Sequence, residues 1–110
     1  ADDGALDLYH GNLRMIEPDG SAVFDQLPYD KYHEVLREDV RAWSYMKFPF
    51  IKDMGPDDGW YRVGPLARMN TVSFIDTPRA NAARDELMAA NNGQRTHAIL
   101  ANHWARMIEV

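Results

Sequence analysis

Apolar positions fall into short clusters separated by turn residues, and the spacing within the clusters changes along the chain. Leu6, Leu8 and the run Asn12 to Ile16 precede Glu17-Pro18-Asp19-Gly20, where proline suits the second turn position and glycine supplies a positive φ. The return run Ala22-Val23-Phe24 completes the pattern of a β-hairpin. Pro28 and Asp30 then precede Tyr32, Val35, Leu36 and Val40, whose spacings of three and four predict a short amphipathic helix capped by Asp30. From Trp43 to Phe50 the chain is dense in aromatics and carries Pro49, so it reads as extended, with its rings in the core. Gly55-Pro56-Asp57-Asp58-Gly59 reads as a second turn and Trp60 to Val63 as its returning strand, which makes a second hairpin. Gly64-Pro65 interrupts that strand, and Leu66 to Phe74 has a mixed pattern that assigns no element. Thr77-Pro78 opens a helix through Ala80, Ala83, Leu87 and Met88 that stops at Asn91-Asn92-Gly93. Thr96 starts another, with Ile99, Leu100, Trp104, Met107 and Ile108 forming a broad apolar stripe that needs a partner surface. The expected architecture is α+β, with two antiparallel hairpins and about three helices.

At 110 residues, with no internal repeat or linker-like run, the chain forms a single segment and one domain. Seventeen acidic against twelve basic side chains give a net charge of -5, which disfavours nucleic acid and anionic membrane surfaces as partners. The absence of cysteine removes disulfides, thiolate metal sites and cysteine nucleophiles from this chain's own repertoire. No apolar run is long enough to span a bilayer, and Ala1-Asp2-Asp3-Gly4 is unlike a signal peptide, so a cytoplasmic location is expected. The first residue is not methionine and Glu109-Val110 falls inside an apolar helical pattern without a stop signal, so a piece of a longer protein is expected.

Candidate chemistry is sparse. His97 and His103 are six apart and point in different directions on a helix, while His103 falls on the apolar stripe and reads as a core histidine. His33-Glu34-Val35-Leu36-Arg37 has arginine where a zinc-protease helix needs its second histidine, and His10 reads as a turn residue. Acidic neighbours such as Asp57-Asp58 and Glu38-Asp39 read as solvated, and no glycine-rich phosphate loop or serine elbow is present. Three basic residues, Lys47, Arg62 and Arg68, lie among apolar and aromatic ones. Spacing leaves two readings open: each snorkels its charge to water, or Lys47 points its ammonium into a buried polar network.

Two linked strings add a resemblance. Trp43-Ser44-Tyr45-Met46-Lys47-Phe48-Pro49-Phe50, followed by Tyr61-Arg62-Val63-Gly64-Pro65-Leu66-Ala67-Arg68-Met69-Asn70, resembles the central region of nickel-iron hydrogenase large subunits. Gly4 to Arg14 and His103-Trp104-Ala105-Arg106-Met107-Ile108 are similar to the soluble, NAD-reducing branch, as is Tyr61-Arg62 where the uptake branch has Met-Glu. The family holds nickel and iron through two Cys-x-x-Cys motifs near the two ends of the large chain, and this chain has none, so the resemblance implies a central, non-ligand portion. Thr77-Pro78-Arg79-Ala80 lacks the glycine of the family's later Pro-Arg-Gly element. The resemblance further implies a parent subunit with a nickel-iron centre and a magnesium site. The partners it implies are an iron-sulfur small subunit together with flavin- and NAD-binding subunits, and the reaction it implies is reversible dihydrogen oxidation coupled to NAD+. No ligand or catalytic residue lies in this segment on that reading, and the isolated piece is expected to be inactive. Lys47 would hold ordered water and acceptors near the metal domain, Gly64 and Pro65 would fix a backbone turn, and Arg68 would pair with a carboxylate or carbonyl. The competing expectation is a free-standing interaction module, using Trp60, Trp104 and the apolar stripe. A homodimer of the piece through Ile99, Trp104 and Ile108 is a separate expectation.

Overall fold

The computed structural model describes residues 4–110, so the acidic start at residues 1–3 lies outside the described residues. Strand β1 (Leu13–Ile16) pairs antiparallel with β2 (Ala22–Leu27) across the expected turn. Gly20, at φ 93, closes that turn by donating its N–H to the Glu17 carbonyl at 2.9 Å, and Asp19 Oδ1 accepts from the Ser21 N–H and hydroxyl. The register slips twice, with Gln26 at φ 53, so this hairpin is bulged and strongly bent.

The second hairpin exists, but upstream of where the sequence pattern puts it. A 3-10 helix (Tyr29–Glu34) runs into strand β3 (Leu36–Val40), which pairs from Leu36↔Ile51 to Val40↔Lys47 with β4 (Lys47–Ile51). The amphipathic helix expected through Val40 is therefore a two-turn 3-10 helix followed by a strand, and Asp30 makes no side-chain cap. A spacing of four is even, so Leu36 and Val40 share a strand face as readily as a helix face, and pairing with β4 decides between them. Gly55-Pro56-Asp57-Asp58 forms the one-turn helix α1 (Gly55–Asp58) instead of a hairpin turn, and Trp60 to Val63 forms no strand. Trp43 and Tyr45, expected in the core, are 77% and 98% exposed.

The unassigned stretch is helix α2 (Pro65–Thr71), and α3 (Pro78–Ala89) and α4 (Ala101–Glu109) complete four α-helices and one 3-10 helix among the described residues. Helix α3 ends as read, with Asn92 at φ 58 and Gly93 at φ 75 and the Gly93 N–H on the Met88 carbonyl. Thr77 occupies its N-cap position without a hydroxyl cap. Helix α4 starts at Ala101, five residues after Thr96, and buries Ala105 and Ile108 while leaving Ile99, Leu100 and Met107 in water. His103 is exposed, not a core histidine. The core is the meeting of the three helices: Leu66 and Met69 of α2, Leu87 of α3, and Ala105 and Ile108 of α4, flanked by Leu6, Ile75, Ala80, Ala83 and Met88. Leu6 reaches it because the amino-terminal segment bridges to Phe74, its N–H donating to the Phe74 carbonyl at 3.1 Å. The β3–β4 hairpin with α1 contributes only Ile51 to the buried apolar set and stands off the helices as an arm.

Candidate functional site

Helix α2 is framed at both ends. At its start Gly64 takes φ 95 and ψ -169, a conformation reserved for glycine, and Pro65 follows at the first helical position, buried and needing no donor. At its end, four successive carbonyls are all taken by arginine. Arg84 donates to Met69 and Val72 at 3.3 and 2.6 Å, Arg95 to Asn70 at 2.9 Å and Arg14 to Thr71 at 3.3 Å. The last carbonyls of a helix have no partners within it and carry its negative dipole end, so cations there satisfy both needs. Burial lowers the Arg84 guanidinium's pKa, with Asp85 opposing the shift and the Arg95 charge adding to it. Two cations are thus held close together by one helix terminus.

Arg68, on the same helix, makes a two-pronged pair with Glu109 of α4 at 2.6 and 2.9 Å, and that hydrogen bonding raises its pKa above the ordinary value. The resemblance implies a carboxylate or carbonyl partner for Arg68, and within this chain the group it pairs with is the Glu109 carboxylate. Asn70 donates to the Thr96 carbonyl at 2.9 Å, while its buried Oδ1 has no partner among the described residues. Arg62 donates to the His97 carbonyl at 2.9 Å, tying the segment before α2 to the loop before α4.

A cleft of about 680 Å³ opens between the bulged hairpin, the β3–β4 arm and α2. Arg62, Gly64 and Arg68 line it together with Asn70, Arg14 and Arg95. Lys47 is elsewhere. It lies on the arm with its side chain 61% exposed, 3.2 Å from Glu38, so within this chain the ammonium is not buried in a polar network. The three basic residues of the sequence pattern do not form one cluster. Arg14, Arg84, Arg95 and Asn70 escaped sequence reading because a side chain that bonds to a backbone carbonyl far along the chain leaves no spacing signal. Among the described residues no three His, Cys, Asp or Glu side chains gather in a metal-holding group, and His10, His33, His97 and His103 are all exposed. No described helix is long and apolar enough to cross a membrane.

Comparison with known proteins follows the same lines. No family model matches the chain. It is 41% identical over 109 residues to the beta subunit of the NAD-reducing hydrogenase HoxS of Cupriavidus necator, covering 99% of this chain and 22% of that protein. It is 35% identical over 108 residues to a subunit of the F420-non-reducing hydrogenase of Methanothermobacter thermautotrophicus, covering 98% of this chain and 23% of that protein. A crystal structure of an NAD+-reducing NiFe hydrogenase in the H2-reduced state superposes with a TM-score of 0.91 at 46% identity, over 97% of this chain and 24% of that one. The chain thus spans about a quarter of the length of the relatives it matches, and those relatives are hydrogenase subunits.

Proposed function

We propose that this chain is the central, non-ligand segment of the large subunit of an NAD-reducing nickel-iron hydrogenase, working in the cytoplasm. The observation that carries this reading is the near-complete superposition on the solved hydrogenase chain at 46% identity. The strings around Lys47 and from Gly64 to Arg68 support it, since they are the ones that resemble the large-subunit pattern. The parent reaction on this reading is reversible dihydrogen oxidation, with electrons passing through an iron-sulfur small subunit to flavin- and NAD-binding subunits.

The residues present do not fit a nickel-iron site: the chain has no cysteine, and no group of described side chains has ligand geometry. The metal ligands belong to other parts of the parent polypeptide, and this segment's contribution is scaffolding. Gly64 and Pro65 set the entry of α2, Arg68 locks α2 to α4, and the arginines at its far end stop the helix from shifting along its axis. Lys47, exposed here beside Glu38, is offered to groups outside the segment, where its ammonium would hold water or acceptors.

The test is to sequence the gene on both sides of these 110 codons and assay the complete complex for hydrogen-dependent NAD+ reduction. Flanking Cys-x-x-Cys motifs together with activity are the expected result. A complete complex that lacks them and reduces neither NAD+ nor a dye under hydrogen removes the reading. The segment alone is expected to be inactive in the dye assay.

A further inference from the structure

Helix α3 ends on an asparagine-glycine step. Asn12, Asn70, Asn81, Asn91 and Asn102 are followed by leucine, threonine, alanine, asparagine and histidine, and Asn92 alone by glycine. Glycine has no β-carbon to screen its backbone nitrogen, so in this step the nitrogen of the second residue reaches the side-chain carbonyl of the first most easily. Asn92 and Gly93 are both exposed. An added Cβ at Gly93 would meet nothing within 4 Å, so no neighbouring group blocks the approach. The two asparagines of this turn are held unequally. The Asn91 carboxamide donates to the Arg95 carbonyl at 2.8 Å and to that of Gln94 at 3.4 Å, whereas no hydrogen bond holds the Asn92 carboxamide among the described residues.

The folded turn nevertheless withholds the nucleophile. Asn92 at φ 58 and Gly93 at φ 75 form the left-handed cap, and the Gly93 N–H donates to the Met88 carbonyl at 2.9 Å. A nitrogen whose proton is held by a carbonyl does not lose it to solvent until that bond opens. We propose that Asn92 is a latent deamidation site whose rate is set by opening of the α3 terminus. On opening, the Gly93 nitrogen gives its proton to hydroxide and attacks Asn92 Cγ. The new N–C bond replaces the carboxamide C–N bond, and the displaced nitrogen takes a proton from water and leaves as ammonia. Water then adds to either carbonyl of the cyclic imide and opens it, leaving aspartate or isoaspartate at this position with no change of oxidation state. The product sets a carboxylate at the C-terminal, negative end of α3. Isoaspartate also adds a carbon to the backbone and takes the Gly93 N–H out of line with Met88. Either product loosens the entry to a loop whose Thr96 and His97 carbonyls are held by Asn70 and Arg62. The modification is independent of the parent reaction.

The experiment incubates the full-length protein, folded and urea-unfolded, at mildly alkaline pH and follows the asparagines of this segment by peptide mass spectrometry. In the unfolded chain Asn92 should gain one mass unit before the others and split into aspartate and isoaspartate peptides. In the folded protein its rate should fall about tenfold or more, the suppression that an opening cost of about 1.4 kcal/mol gives. Asn91→Ala keeps the asparagine-glycine step and removes the bonds to Gln94 and Arg95. It should speed the folded reaction about fivefold, the effect of one lost hydrogen bond, and leave the unfolded rate unchanged. Another asparagine of the segment reacting first in the unfolded chain removes the site. Equal folded and unfolded rates, or a folded rate indifferent to Asn91→Ala, remove the control by the α3 terminus.

Discussion

Gly64 serves by its backbone conformation alone, and substitution tests that. At Gly64 an added Cβ meets nothing within 4 Å, so the whole cost of Gly64→Ala is backbone strain at φ 95, about 1–3 kcal/mol. Thermal unfolding should show that loss, and an unchanged midpoint would mean the turn before α2 does not need glycine. The pair between Arg68 and Glu109 depends on the planar fork of guanidinium, so Arg68→Lys should cost about 1 kcal/mol although the charge is kept. A double-mutant cycle with Glu109→Gln measures it, and zero coupling would reduce the pair to a surface contact. The hydrogen bonds from Ser21, side chain first and then backbone, hold the Asp19 carboxyl below its usual 3.8. Its folded pKa is depressed, so its contribution is present above about pH 3.8 and lost as the pH falls through the lower, folded value. A carboxyl-carbon NMR titration should find the Asp19 midpoint below 3.8, and Ser21→Ala should return it towards that value.

At the scale of elements, the β3–β4 arm depends on α1 as its clasp. Gly59 donates its N–H to the Gly55 carbonyl and accepts from the Ile51 N–H, both at 2.8 Å. A Cβ at Gly59 would lie 2.6 Å from the Gly55 oxygen and 2.7 Å from the Ile51 oxygen, against backbone that cannot swing away. Gly59→Ala should therefore unseat the end of β4 and cost about 1–3 kcal/mol. Amide exchange at Ile51 is the readout, and unaltered protection there would refute the clasp. Helix α3 was legible because its start and stop are local: Pro78 at the first helical position, Asn92 and Gly93 in left-handed conformation at the end. Strand β3 was not, because its apolar positions suit either period and its partner follows only after the intervening loop. Helix α2 was missed for a related reason: both faces are buried or half-buried along much of its length, which erases amphipathic contrast in seven residues.

For the whole molecule, seven apolar residues are buried among the described residues, and five of them sit in one cluster among three helices, so the helical part holds together while the arm rests on local contacts. Local opening should accordingly begin in the arm and its flanking turns. Hairpin one and helix α3 were determined by the sequence itself, because turn and cap chemistry acts over three or four neighbouring residues. Of the candidate site, Gly64, Pro65 and Arg68 took their roles only through the string that resembles the family, whereas the three arginines on the α2 carbonyls and the Glu109 partner were not singled out at all. Lys47 was singled out with Arg62 and Arg68 as one cluster, and the fold sends it to the arm instead. Only the tertiary structure decided these matters: strand pairing and carbonyl capping join residues far apart in sequence, and their energy depends on distance in space, which no local pattern encodes.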